Sequence, residues 1–166
     1  MDEVGYNSTM EIVKPDLTQI PELLTLWRSQ YEFHHSLDDE YYVAFSPKLE
    51  KEFRNFLEKA INDGYPHILI AKEGQELLGF ITFEEDSEEY FDTQIKKFGV
   101  VVELYVTENS RMKGVGKELM NAAERYFASK GLKHIKLASS TFNGGALDFY
   151  NTLGYVNRQS FLFKKL

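Results

Sequence analysis

The stretch FGVVVELYV, Phe98 to Val106, limits most strongly how this chain can fold. It is apolar at positions of both parities and carries one charge, Glu103. A strand that is apolar on both faces belongs inside a sheet covered on both sides. The rest of the chain must therefore supply flanking strands and a layer of helices on each face.

The remaining periodicities supply them. STMEIVKP (8–15) alternates as a first strand. Ile20, Leu23, Leu24, Trp27 and Tyr31 recur three and four apart, one face of a helix with Pro21 in its first turn. Residues 34–45 break that period and read as a loop. Ser46-Pro47 predicts a second helix start, and Leu49, Phe53, Phe56, Leu57 and Ala60 continue it to Gly64. HILIA (67–71) and ELLGFITF (76–83) read as strands joined by a turn, followed by an acidic connection over 84–97. After the central strand, a clean helix runs from Val115 to a Gly131 cap. HIKLA (134–138) is a strand, 145–153 a short helix ended by Gly154, and 155–164 one or two terminal strands. The expectation is a mixed α/β sheet of α+β type, as one domain over 1–166.

Composition removes whole classes of function. With no cysteine, disulfides, thiolate nucleophiles and Cys-ligated zinc are excluded. His34 and His35 are adjacent and point to different helical faces, so they read as surface residues and no metal site is expected. No apolar run is long enough to span a membrane, and the acidic, polar start is unlike a signal peptide; a cytoplasmic protein is expected. Charge is unevenly spread. Residues 1–98 carry 9 Lys and Arg against 21 Asp and Glu, a net of −12, and residues 99–166 carry 10 against 5, a net of +5. The acidic total of −7 argues against a nucleic-acid partner.

The basic part centres on SRMKGVGKELM (110–120), which runs into the helix from Val115. It is not a nucleotide P-loop: Arg111 stands where the early glycine belongs, and Glu118 replaces the Ser or Thr. It is not a dinucleotide loop either, because Leu119 holds the third glycine position. The elements of an anion site remain: unpaired amides, the helix dipole, glycines at 114 and 116, and Arg111, Lys113 and Lys117.

Arg111-Met112-Lys113-Gly114-Val115-Gly116 resembles the R/Q-x-x-G-x-G/A signature of the GNAT superfamily, the acetyl-CoA-dependent N-acetyltransferases. ELYVTENS resembles the strand that leads into that signature. Asn143, Ala146, Phe149, Tyr150, Gly154 and Tyr155 resemble the family's N-x-x-A-x-x-F-Y-x-x-x-G-F/Y stretch. The resemblance implies a mainly antiparallel sheet with two splayed central strands and helices on both faces. It implies acetyl-CoA as cosubstrate, with pantetheine bonded along Leu104, Tyr105 and Val106 and pyrophosphate on the amides of Met112 to Lys117, Arg111 opening the loop. Asn143 and Phe149 join that set. Gly144 and Gly145 depart from the pattern, either loosening the helix start or admitting the cofactor. The family often pairs through terminal strands, which allows a homodimer.

An alkyl ammonium has a pKa near 10.4, so only about one part in 10³–10⁴ is nucleophilic at pH 7. A proton acceptor is required, and so is an acid for the departing thiolate. The resemblance places Tyr150 at the sulfur as that acid. Glu103 is the candidate base on other grounds: a carboxylate in an apolar strand is costly unless paired or used. Its alternatives are a structural carboxylate, with ordered water as base. Asp38-Asp39-Glu40 and the acids of 84–92, with Tyr41, Tyr42, Tyr90 and Phe91, suggest a cationic small amine such as a polyamine or aminoglycoside. Protein lysine or N-terminal acetylation, and a non-catalytic acyl-CoA sensor, are the alternatives.

Overall fold

The computed structural model describes residues 9–166, so Ser8 of the expected first strand lies outside the described residues. In chain order the elements are β1 (Glu11–Val13), α1 (Ile20–Leu37), α2 (Pro47–Asp63), β2 (His67–Glu73), β3 (Glu76–Ser87), β4 (Lys97–Val106), α3 (Val115–Ser129), β5 (Ile135–Leu137) and α4 (Gly144–Thr152). The strands lie in the order β1-β2-β3-β4-β5. All neighbours are antiparallel except β4 and β5, which run parallel.

Alternation along the strands builds two cores. Ile68, Ile70 and Phe80 face α1 and α2. Leu69, Ala71, Ile81 and Phe83 face α3, with α4 packed beside it. Trp27 of α1 anchors the first core: it stacks on Phe53 at 4.7 Å and meets Phe56 at 5.5 Å and Phe80 at 5.2 Å. In the second core Phe127 meets Phe83 edge-on at 5.3 Å.

Local signals account for the helix ends. Ser46 Oγ accepts the N–H of Leu49 at 3.3 Å, Pro47 opens α2, and Gly64 closes it in the left-handed region. α1 runs through His34 and His35 to Leu37, past the break in apolar period. The reason lies in its last turn, where His34 packs on the Tyr42 ring at 5.2 Å and His35 Nδ1 lies 2.8 Å from the Tyr42 carbonyl oxygen. Both histidines are half-buried and fasten the α1–α2 loop, so the surface reading was incorrect. β3 continues to Ser87 into the acidic connection, because Glu84 to Ser87 find partners at residues 97–100.

The terminal strands do not form. Residues 155–166 hold no strand, and Phe161, Leu162 and Phe163 are more than four-fifths exposed. Strand propensity needs a partner edge, and β5, at three residues, offers little of one.

β4 is irregular where it matters. Thr82 sits opposite Glu103, and Phe83 opposite Val101, so Val102 is an extra residue with no partner on β3. This β-bulge bends the strand and increases its twist. The pairing with β5 covers only Gly99, Val100 and Val101 and stops at the bulge. Among the described residues, no strand lies beside the second edge of β4 from Val102 to Val106. That is the splay.

Phe53→Ala removes the ring that backs both Trp27 and Tyr31, at 4.7 and 5.4 Å. It should lower stability by about 3 kcal/mol in urea unfolding; a loss below about 1 kcal/mol would show that α1 is not held through this stack.

Candidate active site

The open half of β4 brings three candidate regions together. Thr107 donates its N–H to Leu78 O at 2.9 Å, so Thr107 directs its backbone toward β3. By the alternation of an antiparallel ladder, Tyr105 does the same, while Leu104 and Val106 turn their N–H and C=O groups to the unpaired edge. Two of the three residues expected to bond pantetheine therefore present backbone groups there. Tyr105 contributes its ring, which packs against the α1 face. The Arg111 Nε donates to Val106 O at 3.2 Å, and its guanidinium lies 6.0 Å from the Tyr105 ring. Arg111 thus closes the end of this edge.

Beyond it lies the glycine loop. Met112 has φ 60°, uncommon for a residue with a side chain, and Gly114, the N-cap of α3, has φ 83°. Backbone turning this way lines up successive N–H groups on one side, the geometry of an anion nest. No N–H from Met112 to Lys117 has a hydrogen-bond partner among the described residues, and no side chain caps α3. Glu118 is the first whose N–H is bonded, to Gly114 O at 3.0 Å. The side chains differ in role. Val115 is core, 3% exposed, and offers only its N–H, whereas Met112, Lys113 and Lys117 are exposed. Gly116 is where α3 meets its neighbours: a Cβ there would lie 3.2 Å from the Phe149 ring and 3.6 Å from Val106. Phe149 thereby docks α4 onto the loop. Asn143 caps α4, its Oδ1 accepting the Ala146 N–H at 3.2 Å. Gly144 and Gly145 face open space, so no packing demand explains them.

Tyr150, on α4, lies half-buried between Phe149 at 5.3 Å and Tyr155 at 5.9 Å. Burial is the only influence on its hydroxyl, with no hydrogen-bond partner among the described residues. Burial pushes its pKa up to about 12, so the phenol is protonated at neutral pH and can donate. A thiolate with an ordinary pKa near 8.5 lies about 3.5 units lower, or about 5 kcal/mol. Across such a gap a phenol keeps its proton and acts toward a thiolate only as a hydrogen-bond donor.

Glu103 lies on the other face of the sheet, under α1. Burial raises its pKa from 4.5 to about 7, while the Trp27 indole and the Gln30 amide, both turned to the carboxylate, pull it down. The Trp27 N–H still lacks a bond of regular geometry. Glu103 acts electrostatically on the phenols of Tyr31 and Tyr42, whose pKa values are raised chiefly by burial. Tyr31 and Tyr42 meet at 6.4 Å, forming an aromatic wall beside the carboxylate. Tyr150 and Glu103 thus occupy opposite faces, and the gap beside β4 joins them.

The acidic cradle divides. Asp38 to Glu40 and Tyr41 belong to the α1–α2 loop beside this wall, where Glu40 pairs with Lys165 at 3.4 Å and Tyr41 meets Phe163 at 5.6 Å. The acids from Glu84 onward lie toward the end of β3, opposite residues 97–100; Glu84 is about 7 Å and Asp86 about 13 Å along the strand from the Thr82–Glu103 pair. Two of them have structural partners: Glu85 accepts from Tyr126 at 2.7 Å, and Glu88 pairs with Lys136 at 2.7 Å.

Gln30 has no place among the sequence candidates, yet it faces Glu103. The signal was present: it follows Trp27 by three and Leu23 by seven, a polar residue at a core position of an amphipathic helix. Among the described residues no group of three or more His, Cys, Asp or Glu is placed to hold a metal, and no helix is long and apolar enough to cross a membrane.

Residues 30–155 match the family model for the acetyltransferase (GNAT) family. The chain belongs to that family, and its class is that of acetyl-CoA-dependent acetyltransferases. It is 28% identical over 107 residues to the uncharacterized N-acetyltransferase YhfO of Bacillus subtilis, covering 64% of this chain and 70% of that one. The BH1408 protein of Bacillus halodurans, solved as a tetramutant, shares the fold with a TM-score of 0.80 at 20% identity, covering 94% of this chain and 99% of that one. The aminoglycoside N-acetyltransferase AAC(6')-Iy, solved in complex with CoA, shares it with a TM-score of 0.73 at 16% identity over 99% of each chain.

Because the folded-state pKa of Glu103 lies above its unfolded value, the fold holds this proton more tightly between about pH 4.5 and 7. The stability so gained is complete below the unfolded pKa and lost as pH rises through about 7. Glu103→Gln should therefore be more stable than the parent at pH 8, by about 3 kcal/mol, with little difference near pH 4.5. Urea midpoints at the two pH values measure this; an equal midpoint at pH 8 would place Glu103 in water.

Proposed function

We propose that the protein transfers the acetyl group of acetyl-CoA to a primary amine of a cationic small molecule, polyamine- or aminoglycoside-like, by direct attack in a ternary complex. One observation carries this reading: the half-strand from Glu103 to Val106 has a near-neutral carboxylate facing α1 and an unpaired backbone edge leading to six free amides. The residues fit the cosubstrate. The Leu104 and Val106 edge suits the amide groups of pantetheine, and the Met112 to Lys117 amides with Lys113 and Lys117 suit a pyrophosphate. When bound, acetyl-CoA supplies an activated acyl carbon.

The chain's own groups then divide the work between the two faces. Glu103, with a pKa of about 7, takes a proton from the acceptor nitrogen. Carbon–nitrogen bond formation and carbon–sulfur cleavage give an amide and a thiol. Tyr150 donates its hydroxyl to the departing sulfur. The second proton of the acceptor nitrogen goes to the sulfur, to which the Tyr150 hydroxyl stays hydrogen-bonded with its own proton retained, and the proton on Glu103 leaves to solvent. Support for a cationic acceptor comes from Tyr31 and Tyr42 beside a carboxylate, a setting that attracts ammonium groups, and from Asp38 to Glu40 on the same loop. The CoA-bound aminoglycoside N-acetyltransferase with this fold is consistent with that class.

Tyr150→Phe should bind acetyl-CoA as the parent does and lose about 10²-fold or more in kcat; unchanged kcat removes Tyr150 from the mechanism. In a free-thiol release panel, polyamines and aminoglycosides should exceed neutral and acidic amino acids as acceptors. The reverse order contradicts the acceptor class.

A further inference from the structure

Three buried polar atoms between α1 and the sheet have no hydrogen-bond partner among the described residues: Trp27 Nε1, Gln30 Oε1 and Thr82 Oγ1. Their residues are 3%, 5% and 1% exposed. All three belong to residues that neighbour Glu103. Thr82 stands directly opposite Glu103 across the β3–β4 ladder, which sets their Cβ atoms about 4.5–5.5 Å apart. Trp27 and Gln30, neighbours one turn apart on α1, both turn to Glu103.

Gln30 is the informative member. Its position continues the apolar stripe of Leu23 and Trp27, so leucine or methionine would serve the fold. A buried acceptor left unmade costs about 1–3 kcal/mol, and nothing in the fold recovers that. Its two ends differ in use: the amide N–H₂ faces the carboxylate, while Oε1 is left for a guest with N–H or O–H to give. A primary amine has N–H bonds in more than one direction. Beside Glu103 it would meet two neutral acceptors, Gln30 Oε1 and Thr82 Oγ1. No Lys, Arg or His competes for them among the described residues; the titratable groups facing Glu103 are Tyr31 from α1 and Tyr42 from the α1–α2 loop.

We propose that Gln30 is a positioning residue: its N–H₂ aims the Glu103 carboxylate, and its Oε1, together with the Thr82 hydroxyl, receives the N–H groups of the acceptor amine. This rests on the reading of Glu103 as base. Secondary amines, with fewer N–H bonds, are then poorer acceptors than primary ones.

Gln30→Met, similar in size and without hydrogen bonds, tests it. The acidic limb of kcat/KM against pH should move up by about one unit, since the carboxylate loses a donor, and the amine KM should rise about tenfold. Acetyl-CoA affinity should hold, and the urea midpoint should stay level or rise, because an unmatched buried acceptor is gone. A merely structural glutamine would lower the midpoint and leave the pH limb and amine KM in place, which overturns the proposal. If the methionine variant does not fold, Gln30→Glu keeps the shape, replaces the donor with a like charge, and is judged by the same limb. Glu103→Gln in the same series separates the failures. A limb that survives in Glu103→Gln removes Glu103 as base and this proposal with it. A limb absent there but unmoved in both Gln30 variants removes this proposal alone.

Discussion

The bulge at Val102 is the constraint on which the rest of the site depends. One unpaired residue on β4 ends the parallel pairing with β5 after Val101. It also allows Val101 and Leu104, three apart, to lie on the same α3 face, which strict alternation forbids. Glu103 then falls under α1, opposite Thr82, while the backbone of Leu104 and Val106 turns to an edge with no strand beside it among the described residues. A regular ladder would bond that edge to a longer β5 and seal the sheet. The two faces, with Tyr150 on one and Glu103 on the other, would then not communicate.

The surrounding structure holds this opening in place. Trp27, packed among Phe53, Phe56 and Phe80, fixes the α1 wall over Glu103. Phe149, pressed on Gly116, fixes α4 and Tyr150 to the start of α3. Burial works in the same sense on both groups: it raises the carboxylate to about 7 and the phenol to about 12. At neutral pH one can accept a proton and the other retains its own. The ionised carboxylate weakens the fold above pH 7, so part of the stability of the α1 layer is given up to keep a carboxylate there, as the base role proposed for Glu103 would require.

Much of this was legible in the sequence, and the exceptions have physical causes. The apolar strand, the Ser46-Pro47 start, the glycine loop and the α3 stripe all carry local signals that tertiary packing reinforces. The bulge carries none: three consecutive valines are equally at home on either face, so neither glycine nor a broken alternation marks Val102. The end of α1 depends on Tyr42 packing on His34, a contact across a loop. The strand pattern near Phe161 to Phe163 is real but lacks an edge to pair with. Gln30 was visible as a polar residue in an apolar stripe, but its meaning required Glu103 to be placed opposite it. The acidic segments read as one cradle only because sequence gives charge without direction; β3 carries half of it toward its own end.

Deleting Val102 tests the central claim most directly. The deletion leaves Val101 opposite Phe83 and Glu103 opposite Thr82, so the ladder becomes regular with no change of register elsewhere. The variant should fold with an unchanged or higher urea midpoint. With the gap closed, its acetyl-CoA affinity in calorimetry should fall by about 100-fold or more, the loss of two or more backbone hydrogen bonds. A folded deletion variant that binds acetyl-CoA as the parent does would contradict the account, because the opening would then not depend on the bulge.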